Sequence, residues 1–275
     1  MARRLPGILP PLTFEEALEC TAIHSVAGTL PPGVGLLSAR PFRAPHHTIS
    51  NVALVGGGSH PRPGEISLAH NGVLFLDEMP EFDRRVLDVL RQPMEEGRVT
   101  ISRAARTAAF PAKFVLVGAM NPCPCGYKGD EHRACSCTPM QAQRYGNRVS
   151  GPLRDRIDLL VEVAAVPVIE LTDAPRGEPS ATVRARVLAA RRRQELRYAG
   201  TGLRTNSNLH GSMSHEFCAP TAAGKHLLRR AAEKLRLTAR GYDRVLKVAR
   251  TVADLAGSDA VEEEHVGETL QYRFE

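Results

Sequence analysis

The stretch GVLFLDEMPEF, residues 72–82, decides the fold class of this chain. Four apolar residues run directly into two adjacent acids, Asp77 and Glu78. An apolar run of this length indicates a strand buried in a parallel sheet, and ligands bind at the carboxyl ends of such strands. Paired acids there suit phosphoryl transfer, in which Asp77 would hold the water shell of Mg²⁺ and Glu78 would deprotonate the attacking water. The alternative is that both acids cap the helix that follows.

Three further polar residues fit the same chemistry. A second apolar run, FVLVGAMN, ends in Asn121, which reaches the same water or phosphate if the two strands are neighbours. Arg156 follows the Ser-Gly-Pro break in SGPLRDRID, where its guanidinium is expected to be exposed for a phosphate. Arg240 is expected in the first turn of a later helix, reaching back across a cleft. For each residue taken singly, an ordinary surface role is the alternative.

The elements predict two domains. Residues 1 to about 170 alternate β-branched runs, LLVEVAAV at 159–166 being the last, with helical and Gly/Pro-rich segments, which indicates an α/β core with a parallel sheet. After the linker TDAPRGEPS, amphipathic stretches predict helices beginning near Ala181, Thr221, Thr238 and Ala260. We therefore expect an α/β domain over 1–175 and a helical domain over 176–275, with Ser180 as the first helix cap.

One of these helices shows its core face in the sequence. Val245, Val248, Val252 and Leu255, with Ala249 and Ala253, recur at spacings of three and four, so the pattern predicts a buried stripe on a helix capped by Thr238.

Composition limits the class of protein. The chain has 275 residues, 43% hydrophobic and 24% charged, with a net charge of +6, as expected of a globular protein. It has neither an apolar run long enough to span a membrane nor a secretory signal pattern, so we expect a cytoplasmic protein without a membrane partner. The 36 basic residues against 30 acids are compatible with binding DNA. An arginine run such as that at 191–193 is usually a solvated helix face.

Four of the six cysteines are clustered. Cys123, Cys125, Cys135 and Cys137 form two C-x-C pairs nine residues apart, and Thr138 with Pro139 is expected to begin a helix directly after them. Four thiolates that close a short loop are typical of a Zn²⁺ site, with His132 as a substitute ligand. Redox-active or simply reduced thiols are the alternatives. Cys20 and Cys218 are expected in the core.

Together these segments resemble the magnesium-chelatase-like AAA+ ATPases of the ComM type over essentially the whole chain. The resemblance is carried by RPFRAPHHTIS at 40–50, GEISLAHNGVLFLDEMPEF at 64–82, LRQPMEEGRVTISRA at 90–104, GAMNPCPCG at 118–126, SGPLRDRIDL at 150–159 and the helix that begins TARGYDR. It implies a Walker B pair at Asp77 and Glu78, sensor 1 at Asn121, an arginine finger at Arg156 and sensor 2 at Arg240.

The resemblance also implies cofactors and partners. These are ATP and Mg²⁺, a homo-oligomeric ring, expected to be a hexamer, and a helicase-type motor that migrates DNA branches during natural transformation. Arg43, His46 and His47 are then expected in a loop that faces the ring pore and contacts DNA phosphates. A structural histidine pair is the alternative.

The chain departs from the family pattern in two places. It contains no GxxxxGK[ST] phosphate loop, which in the family lies immediately before the helix that reads here as MARRLPGILPPL. The first strand and the Lon-like amino-terminal domain are missing too, so we expect an incomplete sheet and no ATP hydrolysis by residues 1–275 alone. Arg154 stands where the family usually has Leu. A non-catalytic ring or assembly subunit and a chelatase-like metal-insertion subunit remain the alternative functions.

Overall fold

The structure, a computed structural model, describes residues 2–58, 61–103, 106–130, 133–163 and 177–273. Its contacts divide the chain into two units: Met1–Gly7 with Pro11–Arg156, and Ile8–Pro10 with Ile157–Glu275. The expected domain boundary near residue 175 lies outside the described residues. No helix in the described ranges is long and apolar enough to cross a membrane.

The first unit contains the expected parallel sheet. Its three strands are β1 (Phe42–Arg43), β4 (Val73–Leu76) and β7 (Val115–Gly118), in the order β1-β4-β7. Both pairings are parallel, and Leu76 at the end of β4 lies opposite Gly118 at the end of β7. The strand of the acid pair is therefore the central one of these three, and it neighbours the strand before Asn121, which is the condition set above for the two sites to meet.

Helices and two antiparallel pairs complete this unit. The strand pairs are β2 (Gly56–Gly57) with β3 (Arg62–Pro63), and β5 (Arg98–Arg103) with β6 (Arg106–Pro111). The helices are α1 (Leu5–Ile8), α2 (Phe14–Ala27), α3 (Asn51–Val55), α4 (Glu65–Leu68), α5 (Arg84–Asp88), α6 (Arg91–Glu96), α7 (Pro139–Gly146) and α8 (Gly151–Arg154). As predicted, Thr138 caps α7 and Pro139 is its first residue.

The core of this unit forms around β4 because the strand is apolar on both faces. Val73, Leu74 and Leu76 are fully buried. Gly72, just before the strand, has no room for a side chain, since a Cβ there would lie 2.1 Å from the carbonyl oxygen of Pro41. That oxygen accepts a hydrogen bond from the Val73 N–H at 2.9 Å, so the glycine permits the close approach of β1.

A buried histidine ties α2 to this core. His70 is 1% exposed, and its Nδ1 accepts a hydrogen bond from the Lys113 N–H at 3.0 Å. The Nε2 must therefore carry the proton, which it donates to the Glu19 carboxylate at 3.1 Å. Burial lowers the pKa of His70, although the Glu19 carboxylate opposes this shift. The histidine is a neutral structural group.

The second unit is helical, as predicted. Its helices are α9 (Ser180–Arg197), α10 (Ser212–Phe217), α11 (Ala222–Lys234), α12 (Ala239–Ala256) and α13 (Glu263–Gln271). The predicted starts near 181, 221, 238 and 260 correspond to α9, α11, α12 and α13, whereas α10 was not predicted. The described part of LLVEVAAV, residues 159–163, forms no strand.

Two details of these helices correct the sequence-based expectations. The cap of α9 is Pro179, and Ser180 is its first helical residue. On α12, Thr238 is the cap, as predicted, and Val245 is fully buried. Ala249 and Ala253 are buried as predicted, and Val248 and Val252 are half-buried. Leu255, also predicted to be core, is 49% exposed, because the buried face runs through Leu246 instead.

A buried ionic network links α9 to α12. Asp254, with a side chain 0% exposed, contacts the guanidinium groups of Arg197 and Arg250. One of its oxygens also accepts a hydrogen bond from the Asn206 amide at 2.9 Å. Burial alone would raise the pKa of Asp254, but these donors hold it below its ordinary value. Arg197 of the arginine-rich helix α9 therefore contributes to the internal packing of the second unit.

Candidate functional site

The acid pair lies at the carboxyl end of β4, where the chain turns sharply. Asp77 and Glu78 are both exposed, and Glu78 has left-handed backbone angles, φ 50° and ψ 46°. Non-glycine residues rarely adopt this conformation, and such strain concentrates at functional sites. The Glu78 side chain makes no capping hydrogen bond to the short 3-10 helix Met79–Glu81 that follows. Its carboxylate is therefore not committed to the capping role that was the alternative.

Backbone pairing continues past the ends of the two central strands. The Ala119 N–H donates to Leu76 O at 2.9 Å, and the Met79 N–H donates to Ala119 O at 2.8 Å. These bonds hold the turn with the acids against the segment that leads to Asn121. Gly118 allows this contact, since a Cβ there would lie 2.7 Å from the Met79 sulfur.

His47 lies beside the acid pair. Its Nδ1 is 3.8 Å from a carboxylate oxygen of Glu78. The ring also packs against His46, with centroids 4.0 Å apart, and meets the Phe82 ring edge-on at 6.3 Å. The histidine pair is thus brought to the candidate catalytic edge of the sheet, an arrangement that its sequence position did not reveal.

Asn121 is exposed and lies three residues beyond the end of β7. Its backbone N–H lies beside the Tyr145 hydroxyl on α7. Burial raises the pKa of Tyr145, and the nearby carboxylates of Glu81 and Glu78 add to this shift. Tyr145 therefore links α7 to the site, although no sequence motif singled it out. The sensor role of Asn121 stays a prediction.

Arg156 is covered, in contrast to its expected exposure. Its side chain is 11% exposed, forms an ion pair with Glu95 of α6 and also donates to Pro152 O. The neighbouring Arg154 donates to the Asn147 side chain at 3.3 Å. Within this chain, the candidate finger is thus turned toward its own unit, and its role stays a prediction.

The remaining basic candidates have different surroundings. Arg43 forms two hydrogen bonds of 2.6 Å with Glu65, which raise the pKa of its guanidinium. Its charge is balanced within the unit, which leaves less of it for a DNA phosphate. Arg240 is exposed in the first turn of α12, as predicted from the sequence, and belongs to the second unit. Its nucleotide-binding role stays a prediction.

The four clustered cysteines converge. Their Sγ atoms all lie within 4.8 Å of one another, which is close enough to hold one metal ion. Hydrogen bonds from backbone N–H groups, first that of Tyr127, lower the pKa of Cys125 to about 5. His132, the possible substitute ligand, lies outside the described residues. Cys20 and Cys218 are 1% and 0% exposed and outside the cluster, as predicted.

A parallel α/β core with an acid pair at the end of its central strand, followed by a helical domain, defines an AAA+ fold. The chain belongs to the magnesium chelatase ChlI family. The family model described as "Magnesium chelatase, subunit ChlI" matches residues 1–171, and "Magnesium chelatase, subunit ChlI C-terminal" matches residues 177–273.

Relatives identify the chain as a ComM-like member of this family. It is 47% identical to the competence protein ComM of Haemophilus influenzae over 274 residues, which are 99% of this chain and 52% of that protein. It is also 47% identical to the protein YifB of Salmonella typhimurium, over 99% of this chain and 53% of that protein. The Chlorella vulgaris magnesium-chelatase subunit ChlI is 36% identical over 70 residues, 26% of this chain and 20% of that protein. The chain thus spans about half the length of the ComM and YifB relatives.

Proposed function

We propose that this chain is the ATPase module of a ComM-like cytoplasmic motor that acts on DNA. The observation that carries the proposal is the exposed acid pair, Asp77 and Glu78, at the carboxyl end of the central strand. In parallel α/β sheets this edge is where nucleotide phosphates bind. Membership of the chelatase family and similarity to a competence protein support the same assignment.

The two acids have distinct roles in this proposal. Asp77 would hold the water shell of the Mg²⁺ that accompanies ATP, and bound Mg²⁺ neutralises charge on the terminal phosphates. Glu78 would take a proton from the attacking water, for which its exposure and freedom from capping suit it. Asn121 would orient the same water, because the turn with the acids is hydrogen-bonded to the segment leading to Asn121. His47 would position the Glu78 carboxylate from its place 3.8 Å away.

The proposed role of Arg156 requires an oligomeric assembly. In a homo-oligomeric ring, taken as a hexamer, Arg156 would leave Glu95 and stabilise the charge on the phosphates bound by the neighbouring subunit. Arg240 would complete the nucleotide site as sensor 2. Zinc at the four-cysteine cluster is a separate part of the proposal and takes no part in phosphate chemistry.

The ATPase proposal is tested in a fusion that supplies the phosphate-binding loop expected of the family ahead of Met1. Glu78→Gln should retain ATP binding and lose turnover by at least about a hundredfold. The matched control is Glu96→Gln, which removes a carboxylate from the exposed surface pair with Arg98 and should hydrolyse ATP normally. Hydrolysis by Glu78→Gln would refute the assignment of the base. ATP binding without hydrolysis by the unaltered fusion would favour the non-catalytic subunit.

The ring is tested by mixing two inactive forms of the fusion. An Arg156→Ala subunit retains its base, and a Glu78→Gln subunit retains its finger. If the finger acts across the interface, mixed rings should recover part of the hydrolysis. No recovery at any mixing ratio would place Arg156 outside the neighbour's nucleotide site.

DNA binding is a separate arm of the proposal. It rests on the net charge of +6 and on the positions of His46 and His47 at the candidate edge. Affinity for a fluorescent oligonucleotide should fall linearly with salt on logarithmic axes, because cations are released from the phosphates. Replacing His46 and His47 by Gln should weaken binding, whereas the exposed control His226→Gln should not. If the protein does not bind the oligonucleotide at low salt, the proposed DNA binding is refuted, but the ATPase assignment is not affected.

A further inference from the structure

The sulfur atoms of the four clustered cysteines are spaced like ligands arranged tetrahedrally around one metal ion. Zn²⁺ binds thiolates at about 2.3 Å, so the sulfurs of a tetrahedral site lie about 3.8 Å apart. The Sγ of Cys123 lies 3.4 Å from that of Cys125 and 3.7 Å from that of Cys135. The Cys125 and Cys135 sulfurs are 3.6 Å apart, and Cys137 lies within the same 4.8 Å. The chain thus folds into a tetrathiolate cage of the right size.

The geometry argues against the other chemistries of clustered cysteines. All six cysteines are free thiols, and the sulfurs are too far apart for a disulfide, which requires about 2.05 Å. An iron–sulfur cluster divides its thiolates among separate iron atoms, so it could not use four sulfurs gathered around one point. A single ion with four sulfur ligands fits, and Zn²⁺ is the common occupant of structural Cys₄ sites.

Backbone N–H groups surround the sulfurs as they do in metal sites. The Cys137 N–H donates to the Cys135 sulfur at 3.4 Å. The N–H groups of Lys128 and Gly126 lie near the Cys123 sulfur, and those of Tyr127 and Ser136 lie near the Cys125 sulfur. Four thiolates on a divalent ion leave two excess negative charges, which such donors stabilise. Backbone donors from both C-x-C turns therefore lie beside the sulfurs of the cage.

The cage joins two segments of the candidate active site. Cys123 follows Asn121 by two residues, and Cys137 directly precedes Thr138, whose side chain accepts a hydrogen bond from the Gln141 N–H at the start of α7. The same helix carries Tyr145, whose hydroxyl meets the Asn121 backbone. A metal bound to both C-x-C pairs would close residues 123–137 into a loop and hold its ends together.

We propose that Cys123, Cys125, Cys135 and Cys137 bind one structural Zn²⁺, and that this ion fixes Asn121 against α7. The binding of the metal is independent of the proposed ATPase function, whereas the importance of positioning Asn121 rests on it. The zinc touches neither ATP nor DNA. It acts by limiting the motion of the backbone on either side of the cage.

Metal content provides the first test. Residues 1–275 purified without chelator should contain one zinc per chain by elemental analysis. After replacement of the metal, Co²⁺ should show the intense visible absorption bands of a tetrahedral thiolate site. Cys135→Ser combined with Cys137→Ser should lose the metal, whereas the control Cys20→Ser, at a buried cysteine outside the cage, should keep it. A folded wild-type chain without metal, with iron in place of zinc, or with disulfides in the cluster would overturn the assignment.

Hydrogen exchange tests the positioning role. Stripping zinc from the wild-type chain should speed exchange of the Asn121 N–H and of the first turn of α7 by at least tenfold. Exchange in the β5–β6 hairpin, in the same unit, should be unchanged. This measurement needs no cysteine variant, so it decides the question even if the double variant fails to fold. Unchanged exchange at Asn121 would overturn the positioning role, whatever the metal content and whatever the outcome of the ATPase experiments.

Discussion

Replacing Gly72 by Ala should destabilise the first unit because it separates β1 from β4. The added methyl carbon would lie 2.1 Å from Pro41 O, whereas real contacts of this kind are at least 3.0 Å. The strands must therefore part by about 0.9 Å, which stretches the 2.9 Å hydrogen bond from Val73 N–H to the same oxygen. The lost bond costs about 1 kcal/mol and the overpacking about 1–3 kcal/mol, so we expect a loss of about 2–4 kcal/mol.

Urea unfolding followed by circular dichroism measures this loss. With a slope of about 2 kcal/mol per molar urea, the midpoint should fall by about 1–2 M. Gly35→Ala is the matched control, because nothing lies within 4 Å of its added carbon. The control should change stability by less than about 1 kcal/mol. If the two variants have equal urea midpoints, the close approach of β1 to β4 does not depend on the missing side chain of Gly72.

Three further predictions concern single side chains. Because burial lowers the pKa of His70, the folded state binds fewer protons than the unfolded chain, and stability should fall as pH drops below about 6.5. The unfolding free energy of His70→Gln should depend less on pH, and equal slopes would contradict this. Asp254→Asn should cost about 3–5 kcal/mol at pH 7, because it leaves the buried Arg250 and the partly buried Arg197 without a partner charge. The exposed control Asp259→Asn should cost less than about 1 kcal/mol in the same urea titrations. Because the pKa of Asp254 is held below its ordinary value, this difference should shrink below about pH 4. In the phosphate-loop fusion, Arg156→Ala should cut hydrolysis about a thousandfold and Arg154→Ala by less than about tenfold. A larger loss of hydrolysis for Arg154→Ala than for Arg156→Ala would assign the role of arginine finger to Arg154 instead.

The sequence alone predicted the features that depend on local chemistry. The apolar run ending in Asp77 indicated a buried strand, since four consecutive apolar residues have few other places in a globular protein. Thr138 and Thr238 were predicted as caps because a threonine hydroxyl before an amphipathic run satisfies a free backbone N–H. The parallel α/β core and the helical second domain followed from the same local patterns.

Only the tertiary structure decided which distant residues meet. The contacts of His47 with Glu78, Glu95 with Arg156 and Tyr145 with Asn121 all join segments far apart in the chain, so no spacing encodes them. Leu255 fits the helical period yet is exposed, because burial depends on which neighbouring helices cover each face. The two C-x-C pairs suggested a metal ligand set, but the fold of the loop between them was needed to bring four sulfurs within 4.8 Å. Local patterns determine which elements form, and long-range packing determines which side chains they bring together.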